Sequence, residues 1–214
     1  SKEDRDKLEE NLTKNISWIT SGKFGNYTIS DYVDTSGYDI TGGYLIENDF
    51  YYDEVSKFKT KNDMKLQLQN PEYLRTNEDM MNYLQDYIQD MEDAIYSANR
   101  LNADGKHYSE YMDVDSFVDF WMVNEVFKNV ELLYKSCYLY KDVGGLITWG
   151  PIWDMDWTSG NHVNLGGNGG KYNTWWHSES QDREYWYRAL YNDPWFVLKL
   201  YERWGEIQGN IDTV

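Results

Sequence analysis

Residues 136–149 read SCYLYKDVGGLITW, and this stretch decides the fold. Two apolar runs rich in aromatic and β-branched residues flank a short polar segment that ends in Gly144 and Gly145. Glycine adopts the positive φ angles that a tight hairpin turn requires, and the flanking residues favour strands. The pattern therefore predicts an antiparallel β-hairpin, which ends before Pro151 because proline has no N–H to donate to a sheet.

The remainder of the chain shows mostly helical periodicity, with apolar residues three or four positions apart between capping residues. The predicted helices cover residues 3–19, 76–99, 113–129 and 181–191, and a final segment that begins at Pro194. Two further short strands are predicted at residues 43–47 and 58–60. The sequence thus predicts an α+β fold that is rich in helix and has a small antiparallel sheet.

The charge of the chain limits its possible partners. Its 37 acidic residues outnumber 20 basic ones, which gives a net charge of -17. Such a surface repels nucleic acid and anionic lipid, so nucleic acid is not an expected partner, and a bound nucleotide would need a bridging divalent cation. No apolar run reaches about 18 residues, so no membrane-spanning helix is expected.

An acidic pair follows the hairpin in an aromatic frame, where residues 150–157 read GPIWDMDW. Carboxylates in apolar surroundings are costly unless a partner neutralises them. In an extended backbone, Asp154 and Asp156 would point the same way about 7 Å apart and would converge on one ion such as Mg²⁺. Aspartates before glycines are also common turn residues that accept bonds from backbone amides, and the residues alone leave both interpretations open.

Several linked blocks resemble the signature of the CotH (spore coat protein H) kinase family. The blocks are Asn129-Val130-Glu131, the run from Lys135 to Asp142, residues 150–157 with Gly160-Asn161, and residues 43–47, which are similar to a Gly-x-Tyr-x-Leu/Ile-Glu strand. The resemblance implies an atypical protein kinase that uses ATP with Mg²⁺ or Mn²⁺. Its expected partner is a protein that presents a Ser or Thr hydroxyl as the phosphoryl acceptor.

Carried over residue by residue, the resemblance implies roles for four side chains. Asp154 falls on the metal-binding catalytic aspartate, and Asp156 is expected to be a second metal or cofactor ligand. Glu131 is expected to be the catalytic base or to orient the nucleophile, and Asn129 is expected to support the metal or the phosphates. Family kinases have Asp at the position of Glu131, and one extra methylene moves a carboxylate by about 1.5 Å, which matters where reacting groups must be held within fractions of an ångström.

The resemblance also implies how the domain is organised and where it acts. Residues 1–214 are expected to form one domain, similar to the carboxyl-terminal lobe of an atypical kinase-like fold. Neither the glycine-rich covering loop nor the strand-borne lysine of a kinase can be placed in the chain. We therefore expect a fragment that is inactive alone and lacks a β-rich amino-terminal lobe. By analogy with relatives, the expected location is extracellular or at the bacterial cell or spore surface.

Two other functions compete with the kinase interpretation. The chain has 10 Trp and 20 Tyr, and Trp175-Trp176 would stack on sugar faces in a noncatalytic carbohydrate-binding, adhesion or structural surface module. Glu131 and Asp154 would also suit a glycoside hydrolase, whose paired carboxylates stand about 5 to 9.5 Å apart. The hydrolase ranks last because it does not need a second aspartate beside the first.

Overall fold

The computed structural model describes residues 39–71, 78–161 and 185–211, together with the backbone of two short strands, β1 (Lys23–Phe24) and β2 (Tyr27–Thr28). The two short strands pair with each other in antiparallel fashion. Several predicted features lie outside the described residues: the helix over residues 3–19, the first two residues of the helix over 76–99, Trp175-Trp176 and the first residues of the helix over 181–191.

The main sheet has five antiparallel strands in the order β4-β5-β3-β6-β7. They are β3 (Tyr44–Asn48), β4 (Lys57–Lys59), β5 (Lys65–Asn70), β6 (Cys137–Lys141) and β7 (Ile147–Trp149). The predicted hairpin is β6-β7, and the strands predicted at 43–47 and 58–60 are β3 and β4, so these predictions are confirmed. Strand β5 was not predicted from the sequence, although its alternation of Lys, Leu, Gln, Leu and Gln has the period of a strand.

Four helices surround this sheet within the described residues: α1 (Glu78–Tyr96), α2 (Val114–Val126), α3 (Tyr185–Leu190) and α4 (Pro194–Ile211). Asp113, the first residue of the predicted helix, caps α2 by accepting a bond from the Ser116 backbone amide at 3.2 Å. The helix ends three residues before the predicted Asn129, and Lys128 has a positive φ of 50°, which a right-handed helix does not accommodate. The predicted α+β class is confirmed.

The core lies between one face of the sheet and the helices. Because side chains alternate along a strand, Ile46 and Leu68 are fully buried on this face, whereas Glu47 and Gln67 belong to the other face. Helix α2 packs on β7 through the stacked rings of Phe120 and Trp149, whose centroids are 4.5 Å apart. This packing places the loop after α2 beside the loop after β7, and the two loops form the candidate site.

None of the helices in the described ranges has the length and apolar character of a transmembrane span.

Candidate metal and catalytic site

Two loops bring three carboxylates together. The first loop follows α2 and carries Glu131, and the second follows β7 and carries Asp154 and Asp156. One carboxylate oxygen from each residue lies within 4.8 Å of the corresponding oxygens of the other two. Oxygens at this spacing can share one hard divalent cation, which prefers carboxylate ligands. We refer to Glu131, Asp154 and Asp156 as the carboxylate cluster.

A turn in the second loop positions its two aspartates. The extended backbone considered for these residues from the sequence is therefore wrong. Asp154 adopts a left-handed conformation with φ 56° and ψ 52°, which Asp tolerates better than most residues, and residues Met155–Trp157 then form a 3₁₀ turn. The Thr158 hydroxyl donates to the Met155 carbonyl at 2.8 Å, and the Asn161 amide donates to the Asp156 carbonyl at 2.7 Å. Both aspartate side chains remain exposed and accessible to a ligand.

The first loop is held by Asn129, which is buried. Its Oδ1 accepts a bond from the backbone N–H of Glu131 at 3.0 Å, and its Nδ2 donates to Oδ1 of Asn124 at 2.7 Å. The same Nδ2 lies 3.5 Å from Sδ of Met155 in the second loop. These contacts show that Asn129 positions the backbone of Glu131, and its predicted contact with metal or phosphate stays a prediction.

The carboxylate of Glu131 is the buried member of the cluster, with 2% of the residue exposed. Nζ of Lys135 lies 2.6 Å from its Oε1. Neither carboxylate oxygen accepts a well-directed hydrogen bond from the described residues. A buried carboxylate is costly without compensating charge and hydrogen bonds, so Glu131 has unused capacity to bind a cation.

Two further side chains border the cluster and were missed by the sequence analysis. The Ser136 hydroxyl donates to Oδ2 of Asp154 at 3.1 Å. Nζ of Lys135 lies 4.4 Å from the centre of the Trp157 ring, in the geometry of a cation–π contact. Lys135 lies four positions after Glu131. Side chains at this spacing meet only where the backbone turns, so the sequence alone does not indicate the ion pair.

The neighbouring strand β6 lies in the negative field of these acids. Burial raises the pKa of the Tyr138 phenol well above its ordinary value, and the charges of Glu47, Asp49 and Asp154 raise it further. Glu47 is itself buried and accepts a bond from Nε2 of Gln67 at 3.1 Å. This accumulation of negative charge favours a cation near the first residues of β6.

Comparison with known proteins identifies the family. The family model described as CotH kinase protein matches residues 19–211, which include both loops of the carboxylate cluster. The chain belongs to the CotH kinase family. No curated protein and no solved structure matches the chain.

Membership of the CotH kinase family confirms the resemblance and makes this a kinase-like protein. In general such a family implies ATP, a divalent metal and a protein substrate, and the CotH family is associated with the spore coat. The geometry of the cluster is compatible with the metal, because two exposed carboxylates and one buried carboxylate, which pairs with Lys135, are a set of hard oxygen donors.

Proposed function

We propose that this chain carries the metal-binding and catalytic half of a CotH-type kinase, which transfers the terminal phosphoryl group of ATP to a Ser or Thr hydroxyl of a protein. The observation that carries the proposal is the convergence of Glu131, Asp154 and Asp156 within 4.8 Å in a member of this family. Phosphoryl transfer requires neutralised phosphates and an aligned nucleophile, with little covalent work by the protein.

Asp154 and Asp156 would hold Mg²⁺ or Mn²⁺, which supplies positive charge to the phosphates of ATP. Their exposure supports this role, because Mg²⁺ usually takes one or two protein carboxylates and keeps its other positions for water and phosphate oxygens. Ser136 orients one of these carboxylates through its bond to Oδ2 of Asp154.

Glu131 would act as the base that accepts the proton of the attacking hydroxyl. The bond from its backbone N–H to Asn129 fixes the start of the side chain, and burial limits its rotation. This fixation matters because a base must lie within hydrogen-bond reach of the proton that it accepts. In this arrangement Asn129 acts on the cofactor site chiefly by holding Glu131 in place.

The lysine that grips the phosphates in kinases would come from outside this chain, together with the covering loop. The lysines of the described main-sheet strands already have partners. Lys57 and Lys65 donate to the carbonyls of Tyr52 and Phe50, and Lys59 pairs with Asp63. Lys141 is buried and donates to the Thr41 and Gly145 carbonyls. These contacts leave none of the four lysines of the described main-sheet strands free to contact phosphates in this conformation.

The two competing functions have less support. The carbohydrate-binding interpretation depended on Trp175-Trp176, which lie outside the described residues. A glycoside hydrolase places two carboxylates on opposite sides of a bond, about 5 to 9.5 Å apart. Three carboxylates gathered within 4.8 Å suit a shared ion better than a bound sugar between them.

Replacing Asp154 tests the proposal directly. In the full-length protein, we expect Asp154→Ala to weaken Mn²⁺-ATP binding at least about tenfold and to reduce phosphoryl transfer by about 100-fold or more, because the ion loses a charged ligand. Isothermal titration calorimetry and transfer of labelled phosphate to a protein acceptor measure the two effects. Asp104→Ala removes an exposed carboxylate outside the cluster and should change neither. Unchanged Mn²⁺-ATP binding in Asp154→Ala would refute the metal site.

A further inference from the structure

Lys135 contacts the carboxylate cluster as a cation. Its ammonium lies 2.6 Å from Oε1 of Glu131, and the Glu131 side chain is only 3% exposed. The Lys135 side chain is itself 22% exposed, so it reaches the buried carboxylate from the protein surface. This salt bridge therefore joins a lysine to a member of the carboxylate cluster.

The position of this ammonium conflicts with that of a divalent ion. An ion shared by Glu131, Asp154 and Asp156 would lie among oxygens that are within 4.8 Å of one another, one of which belongs to the carboxylate that Lys135 contacts. Two cations at such a short distance repel each other strongly where protein excludes water. The Lys135 ammonium and the divalent ion therefore cannot both pair closely with Glu131.

We propose that Lys135 is the resident counter-ion of the carboxylate cluster and that a divalent ion binds in competition with it. The inference rests on the metal site of the proposed function. When the ion enters, the Lys135 ammonium leaves Glu131. The Trp157 ring, 4.4 Å from Nζ, provides a contact that the ammonium can keep during this movement.

The exchange would change which cation balances the charge of the cluster. Without a divalent ion, the Lys135 ammonium balances the buried carboxylate of Glu131. With the ion bound, the ion takes over this role, so Lys135 is a positioning residue for the empty cluster.

Mn²⁺ titration of a charge-removed variant tests the competition. Free Mn²⁺ is measured by room-temperature electron paramagnetic resonance, without nucleotide, in wild type and in Lys135→Met. Because the variant lacks the competing cation, we expect its dissociation constant for Mn²⁺ to fall about tenfold, at the low end of the coupling between close charge pairs. Lys135→Arg keeps the charge and should stay within about threefold of wild type.

Lys59 offers a matched control. It pairs with Asp63 at the same 2.6 Å distance and the same four-residue spacing, but on the exposed surface. Lys59→Met therefore removes the same charge outside the cluster and should change Mn²⁺ affinity less than about twofold at physiological salt. A Lys135→Met protein that binds Mn²⁺ as wild type does, or more weakly, would overturn the proposal.

A second measurement on wild type covers the case in which Lys135→Met does not fold. Lysine side chains carrying ¹³C-methyl labels are followed by nuclear magnetic resonance during a Mg²⁺ titration. The Lys135 signal should move as the ion binds, and the Lys59 signal should stay in place. A Lys135 signal that does not respond to saturating Mg²⁺ contradicts the exchange.

The outcome is separable from that of the proposed kinase function. Competition between Lys135 and Mn²⁺ without any phosphoryl transfer would leave the inference standing and remove the kinase activity. Phosphoryl transfer with a Mn²⁺ affinity that does not depend on Lys135 would support the kinase activity and overturn the inference. Absence of Mn²⁺ binding by the folded wild-type protein would overturn both the metal site and the inference.

Discussion

Glu131 shows what one residue requires from its surroundings. The side chain of Glu131 is compatible with a shared ion because one of its oxygens lies within 4.8 Å of both cluster aspartates. The backbone is fixed through Asn129, and the charge is partly balanced by Lys135. Placement of this carboxylate therefore depends on three residues of one short loop.

Protonation of the His107 side chain is expected to lower the stability of the fold. Its Nδ1 accepts the backbone N–H of Ser109 at 3.2 Å and so caps the 3₁₀ turn Tyr108–Glu110. Burial lowers the pKa of His107 below its ordinary value of 6.5, which nearby Asp193 and Glu110 oppose and Arg100 reinforces. The cap requires an unprotonated Nδ1, and this agrees with the direction of the shift.

We expect the His107 contribution to be complete above pH 6.5 and to decrease as the pH falls below that value. In this window the unfolded state binds more protons than the folded state, so acid favours unfolding. Urea unfolding of wild type and His107→Asn at pH 7.5 and pH 5.5 measures the difference. Asn can cap the turn without titrating, so the variant should lose less stability at pH 5.5; equal losses in the two proteins would contradict the assignment.

At the scale of elements, the entry into β3 is joined to the turn between β6 and β7. Gly43, with φ 87°, donates its backbone N–H to the Lys141 carbonyl at 2.7 Å, and the Gly144 N–H donates to the Thr41 hydroxyl at 2.9 Å. A Cβ at Gly42 would lie 2.1 Å from the carbonyl carbon of Asp142. The two segments pass so closely that only glycine fits.

Gly42→Ala should therefore destabilise the protein by about 2 to 3 kcal/mol, because backbone must move to admit the methyl group. Urea unfolding followed by circular dichroism measures the change. Gly205→Ala is the control, since no atom lies within 4 Å of a Cβ at that position in α4 and alanine favours a helix. We expect the control to gain about 0.5 to 1 kcal/mol, and a loss of similar size in both variants would be inconsistent with the proposed clash.

At the scale of the whole molecule, Glu92 connects three parts of the fold. This fully buried residue of α1 accepts bonds from the backbone and side-chain amides of Asn62, in the turn between β4 and β5, at 3.1 and 2.9 Å. Its other oxygen accepts the indole N–H of Trp186 in α3 at 2.8 Å. One carboxylate thus joins the sheet edge to two helices.

Glu92→Gln should lower the free energy of unfolding by about 2 to 3 kcal/mol, because the amide N–H₂ of Gln faces another donor where an oxygen now accepts. The unfolding midpoint in urea should fall with little change in slope. Asp93→Asn alters the neighbouring, more exposed carboxylate, which pairs with Lys61, and should cost less than about 1 kcal/mol. Equal effects of the two changes would refute the special role of Glu92.

The sequence alone determined the class of the fold, most of its elements and the family. The hairpin, the cap at Asp113 and the apolar stripes are local patterns, because each depends on residues only a few positions apart. The CotH resemblance was likewise readable from linked blocks along the chain and is confirmed by the family match over residues 19–211.

Only the tertiary structure decided how the site is assembled. The left-handed Asp154, the place of β5 between β4 and β3, and the pairing of Lys135 with Glu131 are seen only in the folded chain. The packing of α2 on β7 sets the two loops of the carboxylate cluster side by side. Local patterns specify which segments are helix or strand, but the distance between two carboxylates on separate loops depends on long-range packing. For that reason the sequence identified the candidate acidic residues, and the tertiary structure brings them together.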